Sequence, residues 1–447
     1  MTELQAVAES VIGRAGDGEQ VEAYVSWSRE TSIRAYESKV EQLSFSESAG
    51  VGIRVVQGER AGFAYVASLD PDMVEKTLQE ARDNASFATA DPFVGLAKPD
   101  GVAPPDLDLW RESVSSTPTS DKVDLALAVE AATRAADRRV VSVPAADYDD
   151  VEYEVALAST TGISAATRRT GCWLSVQAAA GHEGETQTGY GVETGRSMEQ
   201  LSAERVAAEA ADRAVRLLGA KKAPSARMAV VFDPKVTGTL IALLGSALSG
   251  EAVEKGRSLF AGRIGEQVAS EVLTLVDDPT DPAAPAASRF DAEGLACRRN
   301  VFISGGRLES FAYDTYSARR AGVASTASAV RAGFRSGPAV GMRSMSLLAG
   351  RSSAEEVIRG VDLGMLVQSV SGIHSGVNPV SGDFSVGAEG LMIRDGQLAE
   401  PVREVTIAST LQRMLSQVTA VGADLCWLPS GHAGATIAVS EMSLSGR

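Results

Sequence analysis

The chain has 447 residues, 44% hydrophobic and 22% charged, with a formal net charge of −16 and a pI of about 4.8. That length exceeds one ordinary hydrophobic core and implies two or three domains, while the composition excludes disordered and collagen-like classes. The negative field repels phosphate backbones, so no nucleic-acid partner is expected; the local exception is the group Arg319, Arg320, Arg331 and Arg335.

Leu4, Val7, Ala8, Val11 and Ile12 follow helical spacing over residues 1–14, with Gly16 and Gly18 as a stop. From 21 to 68 the period changes to two. "VEAYVSWS", "SIRAYES", "EQLSFSES", "GVGIRVV" and "RAGFAYVAS" read as a meander of five short antiparallel strands. A helix opened by Asp-Pro follows at 70–88, its stripe running through Met73, Val74, Leu78 and Ala81. After a Pro-rich connector at 91–121, the order recurs: a helix at 122–138, strands at 139–192 and a long helix at 199–220.

Residues 1–220 therefore read as an α+β domain, with helices packed on an antiparallel sheet. The polar linker "AKKAPSAR" leads to a second domain at 227–447. There, strand "MAVVFDP" and helix "KVTGTLIALLGSAL" precede many short strands, and "ISGGRL" and "IRDGQL" each set two turn residues between alternating runs. A β-rich, barrel-like domain is expected.

Cys172, Cys297 and Cys426 are odd in number and contain no Cys-x-x-Cys pair, which fits a reducing compartment without disulfides. The acidic N-terminus lacks the signal-peptide pattern, and the apolar stretch 236–250 is too short and too rich in Gly and Ser to span a bilayer. The expected location is cytoplasmic, with no membrane contact.

No G-x-S-x-G elbow, Walker loop or G-x-G-x-x-G loop is present, so a nucleotide cofactor has no support. "GHEGE" at 181–185 starts like a zinc helix, but no second histidine follows and its flanks read as strands; it is read as a hairpin tip. His374 sits in a Gly/Ser loop. Cys426 and His432 could approach each other as soft ligands, with no obvious third. In "LSGEAVEKGRS" at 248–258, Glu251 has no histidine near it.

Four segments of the second half closely resemble the TldD/PmbA family: "SALSGEAVEKGRSLFAGRIGEQVASEVLTLVDDP", "YDTYSARRAGVAST", "GVNPVSGDFSVGAEGLMIRDGQLAEPVREVTIASTLQRML" and "VTAVGADL". The last three especially resemble its PmbA (TldE) branch. "YESKVEQLSFSESAGVGIRVVQGERAGFAYVASLDPDMVEKTLQEA" resembles the same family, so the likeness covers most of the chain. The resemblance implies a TldD branch of zinc peptidases with an H-E-x-x-x-H helix and a further Cys ligand, and a PmbA branch that lacks the ligands and pairs with TldD. Here Gly250 and Lys255 stand where the two histidines would be. Glycine has no side-chain ligand and protonated lysine no lone pair.

Glu251 keeps the general-base position, but without a metal to acidify water it is expected to be solvated or paired with Lys255. The implied role is a non-catalytic subunit, with no cofactor of its own and zinc in a TldD-like partner, as a heterodimer or with itself as a homodimer. It would help to enclose unfolded or peptide substrates. The candidate peptide contacts are Glu251, Glu254, His374, Asn378, Asp383 and Phe384. The alternatives are a homodimeric peptide-binding protein with no peptidase partner and a metal-independent peptide-modifying enzyme.

Overall fold

The computed structural model describes residues 2–182 and 184–446. Helix α1 (Glu3–Ile12) starts from a capping box in which Thr2 and Gln5 satisfy each other's backbone N–H groups. Strands β1 (Glu19–Tyr36), β2 (Lys39–Gln57) and β3 (Arg60–Val66) lead to α2 (Pro71–Phe87), capped by Asp70. A short α3 (Glu112–Ser116) precedes the second set: α4 (Thr119–Ala136), β4 (Val140–Ser159), β5 (Ser164–His182), β6 (Glu185–Gly195) and α5 (Ala203–Val215). The six strands form one sheet in the order β3-β2-β1-β4-β5-β6, antiparallel throughout.

The meander thus has three strands, two of them very long, where five short ones are expected from sequence. The polar runs that look like turns are cross-strand partners instead: Arg29 lies opposite Glu47 and ion-pairs with Glu152, and Trp27 Nε1 donates to Glu47 at 2.9 Å. Between β1 and β2 the chain reverses only at Glu37 and Ser38, where both residues have positive φ, as a two-residue hairpin of matching twist requires. "GHEGE" is a hairpin tip joining β5 to β6, with His182 exposed; its Glu183 lies outside the described residues.

One face of the sheet carries the helices. Val21, Ala23 and Val25 of β1 face α1 and α2, while Ile33 and Ala35 of the same strand face α4. The outer strands lie so close to their helices that only glycine fits: a Cβ at Gly62 would sit 2.1 Å from the Ala81 carbonyl, and one at Gly191 2.1 Å from that of Val206. Met73, placed by its spacing on the apolar stripe of α2, is exposed. The opposite face, through Tyr24, Leu157 and Ala165, packs on Leu295, Ala327 and Phe334 of the second half.

That half opens with β7 (Ala226–Phe232), α6 (Pro234–Ala247), α7 (Gly250–Glu254), β8 (Leu275–Asp277), β9 (Asn300–Ser304) and β10 (Arg307–Leu308). Next come α8 (Thr315–Ala321), β11 (Ala329–Val330), β12 (Ala339–Val340), β13 (Met345–Leu347), α9 (Ala354–Arg359), β14 (Leu363–Ser371) and α10 (Ile373–Gly376). The chain ends with β15 (Asp383–Arg394), β16 (Gln397–Thr410), α11 (Leu411–Ser416), β17 (Val418–Val421), β18 (Cys426–Trp427), β19 (Ala433–Gly434) and β20 (Ile437–Ser445).

Strands β16-β15-β14-β7-β20 close into a five-stranded barrel, because β20 returns to β16 with Ile407 opposite Leu444; β17 is appended to β20. A second sheet runs β10-β9-β8-β13-β19-β18, and β11-β12 stand apart as a pair. Both two-residue hairpins form as their sequences predict, with positive φ at Gly305 and Gly306 and at Asp395 and Gly396.

A charged network joins the halves. Glu22 and Arg331 form an ion pair with both side chains 1% exposed; Arg54 reaches Glu22 at 2.8 Å and Glu293 at 3.5 Å. Burial pushes the Glu22 carboxyl up, yet Arg331 and Arg54 outweigh it and hold the group below the usual range. The arginine group seen in sequence is therefore not a free basic patch. Arg331 is committed to Glu22, Arg320 to Glu254, and Arg319 donates to the Leu96 carbonyl at 2.7 Å.

Asp277 on β8 is buried and accepts the N–H groups of Arg343 at 3.0 Å and Ser344 at 2.5 Å. Burial nevertheless pushes its carboxyl up to about 6. A raised carboxyl pKa stabilises the fold below the unfolded value and ceases to do so as pH rises through the folded one. Urea unfolding of wild type and Asp277→Asn should therefore differ by up to about 3 kcal/mol more in favour of the variant at pH 8 than at pH 4. An unchanged difference at the two pH values would remove this assignment.

Candidate functional site

Helix α7 is one turn and a half, held at both ends. Ser249 accepts the Ala252 N–H at 3.1 Å as N-cap, the Gly250 N–H donates to the Ala312 carbonyl at 2.8 Å, and Gly256 ends the turn with φ of 63°. Glu251 pairs with Lys255 one turn on, each side chain about half exposed. Glu254 pairs with Arg320, whose guanidinium lies 5.2 Å from the Phe93 ring centroid.

Two cavities meet at this helix. One, of about 400 Å³, is lined by Ser246, Glu251, Lys255, Arg257, Met342 and His432. The other, of about 200 Å³, lies between the halves and is lined by Arg54, Gly95, Glu251, Asp314 and Tyr316. Val340 lines both. Gly341 donates to the Ser328 carbonyl at 2.9 Å, so 328 and 341 are a hydrogen-bonded pair of the β11-β12 ladder. By the alternation of an antiparallel ladder, the N–H and C=O of Val340 point away from β11, to an edge that no strand covers among the described residues.

The structure separates the residues that sequence reasoning grouped. Glu251 borders both cavities; Glu254 is taken by Arg320. None of His374, Asn378, Asp383 and Phe384 lines these cavities; a third, of about 330 Å³ near the other end of α6, reaches only Ile373 just before that loop, beside Tyr190, Lys235 and Gln368. His374 is exposed on α10, and Asn378 accepts the N–H groups of Val380 and Ser381, shaping its own loop. Asp383 takes the Ser381 hydroxyl at 2.7 Å. Phe384 is 1% exposed inside the barrel core, so its side chain is not available to a ligand; strand alternation from Asp383 turns it inward.

Cys426 and His432 diverge: His432 faces the α7 cavity, while Cys426 is a half-buried residue of β18 whose thiol burial pushes up. Burial lowers the pKa of His432, favouring neutral imidazole. Tyr313, Val340 and Arg257 went unrecognised in sequence, since neither charge pattern nor motif distinguishes them.

Three family models match the chain: PmbA/TldA metallopeptidase domain 1 over residues 21–85, the central domain over 112–218 and the C-terminal domain over 225–446. The chain belongs to the PmbA/TldD metallopeptidase family. It is 27% identical to metalloprotease PmbA of Escherichia coli O157:H7 over 446 residues, 99% of this chain and 96% of that protein. A metalloprotease TldD homologue of Buchnera aphidicola (subsp. Acyrthosiphon pisum) is 26% identical over 91% of this chain and 84% of its own length. The fold matches that of TldE from Thermococcus kodakarensis with a TM-score of 0.89, at 23% identity and 99% coverage of both chains. A Bacteroides thetaiotaomicron protein described as a candidate modulator of DNA gyrase matches with a TM-score of 0.86, at 26% identity and coverage of 99% of this chain and 98% of that one.

The family name implies a metal, and the residues at α7 do not fit one. A Cβ at Gly250 would sit 2.1 Å from Tyr313 Cε1, so the ring fills the space a ligand side chain would need. Lys255, in the other position, is a cation bound to Glu251. Among the described residues no group of three or more His, Cys, Asp or Glu side chains is placed to hold a metal ion.

Proposed function

We propose that this chain is a non-catalytic subunit of a cytoplasmic TldD-type zinc peptidase complex, and that it holds peptide or unfolded substrates beside a partner that cuts them. The observation that carries this reading is a cleft of two cavities running past a helix whose ligand space is filled by Tyr313, with Val340 at a bare strand edge. An extended peptide can pair with such an edge through its main chain whatever its sequence. Glu251, paired with Lys255 and flanked at positions 250 and 255 by residues that offer no metal ligand, serves the wall of the cleft rather than water activation.

The same family includes chains named TldD, which supports a homologous partner. No helix among the described residues is long and apolar enough to cross a membrane, which agrees with the cytoplasmic reading.

The test is to purify the chain from zinc-supplemented cells without chelator and measure metal by elemental mass spectrometry, alongside affinity capture. Zinc below about a tenth of an equivalent, with a chain bearing H-E-x-x-x-H captured, is the expected result. One equivalent of zinc overturns the reading. A metal-free chain that captures only itself replaces it with the self-paired peptide-binding protein.

A further inference from the structure

We propose that the α7 cavity recognises a carboxylate on the bound peptide through Arg257; this rests on the peptide-cleft reading above and assigns the chemistry at one end of it. The argument is a count of the charges around the cavity. Glu251 and Lys255 cancel each other, and Glu254, on the same helix, is cancelled by Arg320. The lowered pKa of His432 adds no positive charge near neutral pH. Arg257 remains: it is exposed, lines the cavity, and its guanidinium has no partner among the described residues, while its backbone N–H closes the turn on the Ala252 carbonyl at 2.7 Å. The cavity therefore carries one uncompensated positive charge in a chain whose net charge is −16.

A guanidinium presents paired N–H donors that match the two oxygens of a carboxylate. Arg257 shares this cavity with Val340, so a peptide laid along the outer edge of β12 can bring its end, or one acidic side chain, to Arg257 without leaving the strand. The neutral imidazole of His432, whose Nδ1 lies 3.4 Å from Ser430 Oγ, offers a second polar contact on the same wall.

The experiment is fluorescence anisotropy on the full chain at low salt, with an N-terminally labelled alternating Ala/Val pentapeptide. It is used as the free acid, as the C-terminal amide, and as the amide with one internal Glu. The free acid is expected to bind about tenfold more tightly than the plain amide, and Arg257→Gln to bring acid and amide together without weakening the amide. The Glu-containing amide assigns the source: equality with the free acid means an acidic side chain, equality with the plain amide means the chain terminus. If acid, amide and Glu peptide bind alike and Arg257→Gln changes none of them, the carboxylate assignment falls while the cleft survives. If no peptide binds, both readings fall.

Discussion

Replacement of Arg331 by Met is expected to destabilise the protein by about 3–5 kcal/mol, the range for breaking a buried pair from one side. The variant leaves Glu22 and Glu293 sharing the single guanidinium of Arg54, with all three groups in the joint between the halves. It also removes the donor to the Ala292 carbonyl at 2.9 Å and the guanidinium lying 4.7 Å from the Tyr24 ring centroid. The double variant Glu22→Gln/Arg331→Met should recover more than half of the loss, because no carboxylate at position 22 is then left buried beside too few cations. Urea unfolding at pH 7 reads both, with urea preferred so that salt does not screen the pair. A loss below about 1 kcal/mol, or a double variant no better than Arg331→Met, would show that the joint does not depend on this pair.

The second large effect concerns the metal position. Gly250→His combined with Lys255→His rewrites the helix as H-E-x-x-x-H, yet the variant is expected to take up no zinc and to lose about 1–3 kcal/mol of stability through overpacking. The reason is steric: Tyr313 Cε1 and Cδ1 would lie 2.1 Å and 2.3 Å from the new Cβ. Adding Tyr313→Ala should restore most of the stability by opening that space. Thermal unfolding and metal analysis of the double and triple variants decide the point. A double variant of wild-type stability carrying one equivalent of zinc would mean that the ring moves aside and that only the two missing histidines separate this chain from a metal site.

Local signals were readable where one short segment sets its own geometry. Asp395-Gly396 and Gly305-Gly306 specify positive φ at both central residues and form the hairpins their sequences predict. Asp70-Pro71 marks a helix start because the Asp70 side chain accepts the N–H groups of Asp72 and Met73. The long strands β1 and β2 read as shorter pieces because Arg29-Glu30-Thr31 interrupts the alternation of the first and Ala49 that of the second; all four are strand residues paired across the sheet. Phe384 illustrates the same limit in the candidate site. It sits in a Gly/Ser-rich segment that reads as a loop, and closure of the barrel around β15 buries it.

The sequence by itself determined the α+β composition, the hairpins of the second half, the family resemblance and the absence of histidine at positions 250 and 255. Each is a property of residue identity or of spacing within one element. Only the tertiary structure decided what surrounds those positions. It brings Tyr313 onto Gly250, His432 across from Lys255, and Arg331 onto Glu22 from more than 300 residues away. Packing chooses such neighbours among all segments at once, and period, charge and turn chemistry carry no record of which distant side chain will arrive.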